Sequence, residues 1–551
     1  MQNAPYQKQP SADSTQFAVI PMPDVPRSTF RQEHTHKTTF SGGYLVPIFV
    51  DEVLPGDSFN VKMTSFVRMA TPLYPIMDNL DLETFFFFVP NRLLWDNWRK
   101  FMGQQDSPGD SIAFTVPQIV SAAGGFPRHS VADYFGLPCT PNAGANTISV
   151  NAMPFRAYRF IYHEWFRDQN LITLAAHSRS DGPDAIASYA LQKRAKAHDY
   201  FTSALPWAQK GTSPPLLVTG NALVKTSTTE TFTGIQTSMK VRDASTGAQP
   251  VTGYLAGVGA ANAFDRHVGV ATFSASGAGL YPTNLYADLA TATANTINQL
   301  RTSFAIQKFL ERDARGGTRY TEMIRAHFGV NSPDGRLQRP EYLGGGKSPI
   351  QIAPVVQASQ TGLTGGTTPL GHLGGLGASV QNIHGFQQAF TEHGFVIGIA
   401  NVRADVTYQQ GIRRHWSRST RYDYYHPVFQ ALGEQAILNK EIYADGSAND
   451  LLTFGFQERW AEYRHHPSRI SGSYNSTFTT PLDAWHLAQK FTVLPTLNQT
   501  FIEDGTEAVL SRALAIGGAA NNQQFIGDFY FDAAVTRAMP TYSVPGMLDR
   551  F

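Results

Sequence analysis

The most constraining feature of the sequence is a run of four phenylalanines, Phe85–Phe88, inside the segment LDLETFFFFVP at 80–90. Successive side chains of a β-strand point to opposite faces, so a strand with one buried face alternates apolar and polar residues. A run without alternation predicts a strand that is covered on both faces. Pro90 ends the run, and an aromatic segment with Trp95 and Trp98 follows. The sequence therefore predicts a buried strand with further structure on each side.

Other segments predict additional strands and several helices. Clear apolar and polar alternation predicts strands at 57–68, 402–409 and 525–537. Apolar residues at helical spacing predict helices at 91–101, 155–170, 184–200, 297–311 and 319–328. Strands occur near both ends of the chain, and strands and helices do not alternate regularly. This order favours a mainly β fold, an antiparallel sandwich whose long loops contain helices, over a parallel α/β fold.

The composition limits the classes of protein that the chain can belong to. The 551 residues include 44 lysines and arginines, 43 aspartates and glutamates and one cysteine, Cys139. A single cysteine excludes a disulfide within the chain and a cysteine-based metal site. Charged residues are 16% of the chain, against about 25% in typical soluble domains. Low charge favours association between copies, because there is little repulsion to prevent it.

No targeting or membrane segment is evident. The first residues, MQNAPYQKQPSADSTQ, contain no apolar signal core, and no run approaches the about 18 apolar residues of a membrane span. We therefore expect synthesis in a cytoplasm, without a cleaved signal or a membrane span. Residues 1–40 are rich in proline and lack apolar periodicity, which predicts an extended arm. Residues 226–296 are mostly Thr, Ala, Gly and Ser, which indicates an inserted lobe.

Motifs for catalysis or metal binding are incomplete. GGGKS at 344–348 lacks the first glycine of a phosphate-binding loop, since position 341 is Glu, so a flexible turn is the better interpretation. His163 and Glu164 begin like a zinc-protease helix, but Arg167 stands where the second histidine is needed. His34 and His36 share a strand face without a following glutamate, and an inert thiol is expected for Cys139.

One charge cluster predicts a binding surface. The segment GIRRHWSRSTR at 411–421 places Arg413, Arg414 and Arg418 around Trp416. Guanidinium groups can bind phosphates while a base stacks on the indole ring, so this composition suits single-stranded nucleic acid. A salt-bridge patch between subunits or a solvated loop would have the same composition. These four residues are the predicted nucleic-acid-binding site.

Two long segments resemble a known family. FRQEHTHKTTFSGGYLVPIFVDEVLPGDSF at 30–59 and TPLYPIMDNLDLETFFFFVPNRLLWDNWRKFMG at 71–103 are similar to the N-terminal part of the major capsid proteins of Microviridae, in the gokushovirus branch. FGFQERWAEYRHHPSRISG at 454–472 and LDAWHLAQKF at 482–491 resemble the C-terminal part of the same proteins.

The resemblance implies a single viral jelly roll, an eight-stranded antiparallel β-sandwich with very long loops that contain helices. It implies that sixty identical chains form a T=1 icosahedral shell around the circular single-stranded DNA of a bacteriophage. It also implies a place in the virion and no catalytic activity. The residues themselves predict no cofactor and no metal site. Internal scaffolding and pilot proteins and a host surface receptor are the further partners that it implies.

The resemblance also divides the chain into four parts. These are an arm at 1–40, the first part of the jelly roll at 41–209, a variable lobe at 210–296 and the remainder at 297–551. The lobe would form a surface protrusion at the three-fold axis and contact the host. The residues alone leave two other functions open, a polysaccharide-active β-sandwich enzyme and a glycan-binding attachment module, because scattered carboxylates are enough for glycoside hydrolysis.

Overall fold

The structure is a computed structural model that describes residues 26–139, 146–175, 178–214, 297–356, 373–516 and 523–542 and five short strands between 223 and 288. Strands predominate. The described strands are β1 (Ser28–Phe40), β2 (Val46–Val53), β3 (Ser58–Met69), β4 (Leu80–Pro90), β5 (Gln118–Val120), β6 (Ser149–Asn151), β7 (Asp184–Ala185), β8 (Leu223–Thr226), β9 (Met239–Asp243), β10 (Tyr254–Leu255), β11 (Leu280–Pro282), β12 (Leu285–Asp288), β13 (Glu341–Pro349), β14 (Gln351–Val356), β15 (Leu373–Ala389), β16 (Gly394–Ala404), β17 (Glu434–Leu438), β18 (Thr453–Glu458) and β19 (Phe525–Arg537). The described α-helices are α1 (Asn91–Leu94), α2 (Trp98–Phe101), α3 (Val131–Tyr134), α4 (Met153–Ile161), α5 (Ile297–Gly316), α6 (Tyr320–Phe328), α7 (Asn439–Ile442), α8 (Gln499–Ile502) and α9 (Thr506–Ser511).

Two large antiparallel sheets dominate the architecture. The first has the strand order β1-β19-β3-β15-β14, and the second has the order β13-β4-β16-β2. The first and last long strands are neighbours, since Ser28 pairs with Arg537 and Phe40 pairs with Phe525. Residues 28–40 of the predicted arm are therefore a strand of the first sheet, and residues 1–25 lie outside the described residues. The prediction of a mainly β fold with antiparallel sheets is confirmed.

A large hydrophobic core joins the two sheets. The first sheet contributes alternate residues of β3, Phe59, Val61 and Met63, and the second contributes Phe86 and Phe88 of β4. The polar residues between them in β3 are exposed or half-buried. This arrangement follows from the period of two along a strand, because one face of the first sheet packs inward while the other remains open.

The second sheet is buried on both faces. Phe87 and Val89 of β4 point away from the core between the sheets and pack in a separate core with Trp95 and Tyr158, which come from the helical layer. The prediction of a doubly covered strand is confirmed. At about 1.5–3 kcal/mol for each buried large apolar side chain, this strand contributes strongly to stability.

Several local predictions were wrong. GGGKS lies in strand β13, paired with β4, and is not a flexible turn. A Cβ at Gly345 would lie 2.0 Å from the carbonyl oxygen of Thr84, so glycine is needed here for close packing between strands. Of the helix predicted at 184–200, only a 3-10 turn at Ile186–Tyr189 forms. The strand predicted at 402–409 ends at Ala404.

Other helices form with altered bounds. The helix predicted at 155–170 is α4 followed by a single π turn, Tyr162–Phe166, and the helix predicted at 91–101 is divided into α1 and α2. Helix α6 matches its prediction and ends at Gly329, whose φ of 70° is left-handed. No described helix combines the length and apolar character needed to cross a bilayer.

The chain divides into two compact units. The first comprises residues 1–208 and 314–551 and contains both large sheets, and the second comprises residues 209–313. The described part of the second unit contains the short strands β8 to β12 and most of α5. The lobe predicted at 210–296 falls within the second unit, and most of its residues lie outside the described ones.

Candidate nucleic-acid interface

The four residues of the predicted binding site line one cleft of about 800 Å³ in the first unit. One wall is the segment 411–418, with a 3-10 turn at Arg414–Ser417, and the other is the segment 462–471. The first wall is anchored to α7, because the amide of Ile412 donates to the carbonyl of Lys440 at 2.8 Å. A Cβ at position 411 would lie 2.0 Å from the carbonyl oxygen of Glu441, so the preceding Gly411 permits this approach.

Arg414 is committed to an ion pair within the chain. Its guanidinium donates to Glu441 at 3.0 Å and to the carbonyl of Ala436 at 2.8 Å. The other carboxylate oxygen of Glu441 accepts from the hydroxyl of Tyr200 at 3.0 Å. Burial raises the pKa of Glu441, which Arg414 opposes. Arg414 is therefore the charge partner of a buried carboxyl group and is not free to bind a phosphate.

Arg418 also forms an ion pair within the chain. It donates to Glu462 at 3.2 Å and to the hydroxyl of Tyr463 at 2.5 Å. Its guanidinium lies 4.2 Å from the ring centroid of Tyr463 and 5.4 Å from that of Tyr424, and its side chain is only 8% exposed. Stacked between two rings and paired with a carboxylate, Arg418 supports the shape of the cleft.

Arg413 and Trp416 are available to a ligand. Trp416 is 76% exposed, and its ring centroid lies 4.8 Å from that of His415. Arg413 donates to Nε2 of His466 at 3.1 Å and makes no ion pair with a carboxylate of the described residues. A guanidinium without a carboxylate partner, in the same cleft as an exposed indole, suits binding of a phosphate and stacking of a base.

The structure adds residues that the sequence reasoning missed. His465 and Arg469 line the opposite wall, and the ring of His465 stacks on Tyr200 at 5.5 Å with an interplanar angle of 9°. Burial lowers the pKa of His465, which disfavours the charged form of the ring. The segment YRHHPSR at 463–469 is visibly basic in the sequence. Only the fold brings it opposite Arg413.

The other candidate residues make packing and hydrogen-bonding contacts within the chain. His34 stacks on Phe531 at 5.1 Å, and His36 hydrogen-bonds to the carbonyl of Ile48 at 2.9 Å. The thiol of Cys139 is buried 3.3 Å from a carboxylate oxygen of Asp133, and burial raises its pKa to about 11. Among the residues that the structure describes, no three histidine, cysteine or acidic side chains are grouped to hold a metal.

Comparison with known proteins identifies the family. The capsid protein (F protein) family matches residues 18–547 of the chain. The chain belongs to this family of capsid proteins. Capsid protein VP1 of Bdellovibrio phage phiMH2K is 46% identical over 97% of this chain and 98% of its own length. Capsid protein VP1 of Chlamydia phage 1 is 40% identical over 98% and 99%, and that of Spiroplasma virus 4 is 36% identical over 96% and 97%.

The family settles the broad function. The predicted resemblance to the major capsid proteins of Microviridae phages is confirmed, and this capsid protein is a structural component of the virion. Its relatives are structural proteins, which favours the capsid over the enzyme and the attachment module that the residues alone left open. The family also implies a shell of many subunits.

Proposed function

We propose that this capsid protein assembles with copies of itself into an icosahedral shell of sixty chains that encloses the circular single-stranded DNA of a bacteriophage. In this proposal the chain has no catalytic activity and acts only through its contacts. The observation that carries the DNA-binding part is the pair formed by the exposed ring of Trp416 and the guanidinium of Arg413. Family membership supports the shell.

The strand order supports a jelly roll. The eight long strands in chain order are β1, β2, β3, β4, β13, β15, β16 and β19. Numbered one to eight, they have the order 1-8-3-6 in the first sheet, where β14 extends the edge, and 5-4-7-2 in the second. Two Greek keys in a double sheet produce this interleaved order. The long helical connections between the strands then form the remainder of the first unit.

Exposed apolar surface supports assembly. On the open face of the first sheet, Phe66 is 51% exposed and lies directly opposite Val380, which is 61% exposed. Val428, in a 3-10 turn at Pro427–Phe429, is 87% exposed. An exposed apolar pair on one face of a sheet favours contact with a partner chain. In a closed shell, neighbouring copies would cover it.

The contacts within the cleft support two different roles for the four predicted residues. Arg413 and Trp416 would contact DNA, and Arg414 and Arg418 would shape the surface that presents them. Arg469 and His465 on the opposite wall would complete the contacts with the strand. Electron cryomicroscopy of purified particles, with photo-crosslinking of the packaged DNA, tests this proposal. A crosslink at Trp416 is expected, whereas particles with DNA density nowhere near the cleft would contradict it.

The lobe at 210–296 is proposed to protrude at the three-fold axis and to contact a host surface receptor. Its low charge and abundance of Thr, Ser and Gly support exposure to solvent. Internal scaffolding and pilot proteins are proposed as further partners during assembly. The map of intact particles tests the lobe's position, because a lobe folded toward the interior would contradict it.

A further inference from the structure

One hydrogen bond joins the two walls of the cleft. A terminal nitrogen of the Arg413 guanidinium, on the segment 411–418, lies 3.1 Å from Nε2 of His466, on the segment 462–471. Among the described residues, neither side chain makes an ion pair with a carboxylate. The proposed function gives this contact no role.

The chemistry of the two groups determines the protonation state of His466 in this contact. A guanidinium has five N–H donors and no acceptor, and it does not lose its charge in proteins. Nε2 of His466 must therefore accept the hydrogen bond, so the ring is neutral and its proton lies on Nδ1. A protonated ring would bring two cations into direct contact, which like charges oppose.

The other titratable groups that face His466 are cationic or become so on protonation. His415 on the opposite wall and His465 on the same wall both interact with it electrostatically, and Arg469 also lies on its wall. Desolvation lowers the pKa of His415, and the surrounding cations, with Arg413 first, add to this effect. The cleft therefore disfavours additional positive charge as long as it holds no anion.

The carboxylates of the same region are already engaged. Three of them are in ion pairs, and these pairs are Arg414 with Glu441, Arg418 with Glu462 and Arg464 with Glu458. Asp199 attracts His465 through space, but one of its oxygens accepts the backbone amides of Phe201 and Thr202 at 2.8 and 2.7 Å. No described carboxylate is therefore placed to stabilise a protonated His466 by direct contact.

We infer that the hydrogen bond between Arg413 and His466 is a proton-coupled latch, which a phosphate of the bound strand opens while His466 takes up a proton. This inference rests on the proposed binding of DNA in the cleft. The phosphate oxygens accept the donors of Arg413, so Nε2 of His466 loses its hydrogen bond. His466 is exposed, so Nε2 can take a proton from water and donate it in a hydrogen bond to the same phosphate.

Proton uptake makes the affinity for DNA depend on pH, and the sign follows from linkage. The strand favours the protonated ring, so a lower pH favours the bound state. One proton taken up on binding increases the affinity up to tenfold for each unit by which the pH falls. The affinity should therefore rise as the pH decreases from about 8 to about 5, the range in which histidine changes its charge.

Fluorescence titration of a labelled oligodeoxythymidylate with the purified full-length chain tests the inference at pH 8, 7 and 6. The ionic strength is held constant and the buffers contain no phosphate. Neither thymine nor a phosphodiester titrates in this range, so any change in affinity comes from the protein. We expect the affinity to increase at least tenfold from pH 8 to pH 6. Calorimetry in two buffers with different ionisation enthalpies should count about one proton taken up per bound chain.

A matched pair of variants assigns the proton. His466→Gln retains a side-chain oxygen that can accept from Arg413 but cannot take up a proton. It should bind within about twofold of the unsubstituted chain at pH 8 and lose most of the pH dependence. His198→Gln is the control, because His198 is an exposed histidine that does not line the cleft, and its pH dependence should be normal. Near-ultraviolet circular dichroism confirms that each variant is folded.

The outcomes separate the latch from the DNA binding on which it rests. An oligonucleotide that binds with the same affinity at every pH, or without proton uptake, overturns the latch and leaves the proposed DNA binding intact. Full pH dependence in His466→Gln also overturns the latch, because another group then takes up the proton. Absence of binding at every pH, or binding that Trp416→Ala leaves unchanged, contradicts DNA binding in the cleft and the latch with it.

Discussion

Phe86 and Phe87 are adjacent in the chain but belong to different hydrophobic cores. The ring of Phe86 lies 5.4 Å from that of Phe386, in the core between the two sheets. The ring of Phe87 lies 5.4 Å from that of Trp165, in the core between the second sheet and the helical layer. A single strand thus connects the sandwich to the structure packed outside it.

Replacing either phenylalanine by alanine should therefore lower the stability of the chain by a similar amount. Phe86→Ala and Phe87→Ala each remove a fully buried side chain and should lower the free energy of unfolding by about 3–5 kcal/mol. Phe66→Ala is the control, because Phe66 lies in a strand of the first sheet and is 51% exposed. Denaturant unfolding and soluble yield measure the effect. A Phe87→Ala variant as stable as the control would refute the second core.

The DNA-binding surface should depend on Trp416 and Arg413. Loss of a stacking ring costs about 1–3 kcal/mol per base, so Trp416→Ala should weaken binding of a single-stranded oligonucleotide about tenfold. Arg413→Ala should weaken binding and reduce the salt dependence by about 0.7 in the slope of log K against log salt. Fluorescence titration at several salt concentrations, and the DNA content of particles, measure both. Arg99→Ala is the control, and normal DNA binding by both variants would exclude this surface.

Arg414 should behave differently from Arg413. Arg414→Ala leaves the carboxylate of Glu441 buried without its cation and should cost about 3 kcal/mol of stability. The double variant Arg414→Met with Glu441→Leu removes both charges and should recover much of that loss. Thermal unfolding compares the variants with Arg413→Ala, which should unfold like the unsubstituted chain. Equal stability of Arg413→Ala and Arg414→Ala would contradict the structural role of Arg414.

Lys196 should make stability depend on pH in the alkaline range. Its pKa is about 8 in the folded chain and 10.5 in the reference state, so between these values the unfolded chain binds the extra proton. Stability should therefore fall as the pH decreases from about 10.5 to 8 and should change no further below that. A pKa shift of this size changes the free energy of unfolding by about 3 kcal/mol across this pH range.

Comparison with a variant isolates this contribution. Lys196→Gln should be more stable than the unsubstituted chain at pH 7, and the difference should disappear near pH 10.5. Urea unfolding of both chains across this range measures it. Other groups titrate equally in both chains and cancel in the difference. A difference that is constant with pH would mean that the ammonium is not desolvated.

Deletion of 226–296 should separate assembly from host contact. The described residues of the core between the sheets and of the second core all come from outside this segment. The deleted chain should therefore still form particles, while adsorption to host cells should be lost. Electron microscopy counts particles, and binding of purified particles to cells measures adsorption. Particles that adsorb normally would contradict a receptor-binding role for the lobe.

Features that depend on a single strand or helix could be predicted from the sequence. The strand 525–537 forms with the predicted bounds, and helix α6 ends at Gly329 as its left-handed φ requires. Predictions failed where neighbours in space override local preference. The glycines at 344–346 resemble a loop in isolation, yet they form a strand paired with β4. A Cβ at Gly345 would clash with β4, and a Cβ at Gly344 or Gly346 would clash with β15, so the close packing of these strands requires glycine.

The candidate site was predictable only in part. The four residues nominated from 411–421 do line one cleft, because they are close in sequence. The sequence could not predict that Arg414 and Arg418 form ion pairs, because their partners Glu441 and Glu462 are distant in sequence.

For β3, β4 and β19 the sequence by itself determined which faces are buried, because side-chain direction alternates along a strand whatever surrounds it. It also determined the family, through long segments shared with other capsid proteins. Only the tertiary structure decided which charges meet. Ion pairing depends on a few ångströms between side chains far apart in the chain, and the fold alone sets those distances. That is why Arg414 stabilises Glu441 while Arg413, its neighbour in the chain, has no carboxylate partner among the described residues.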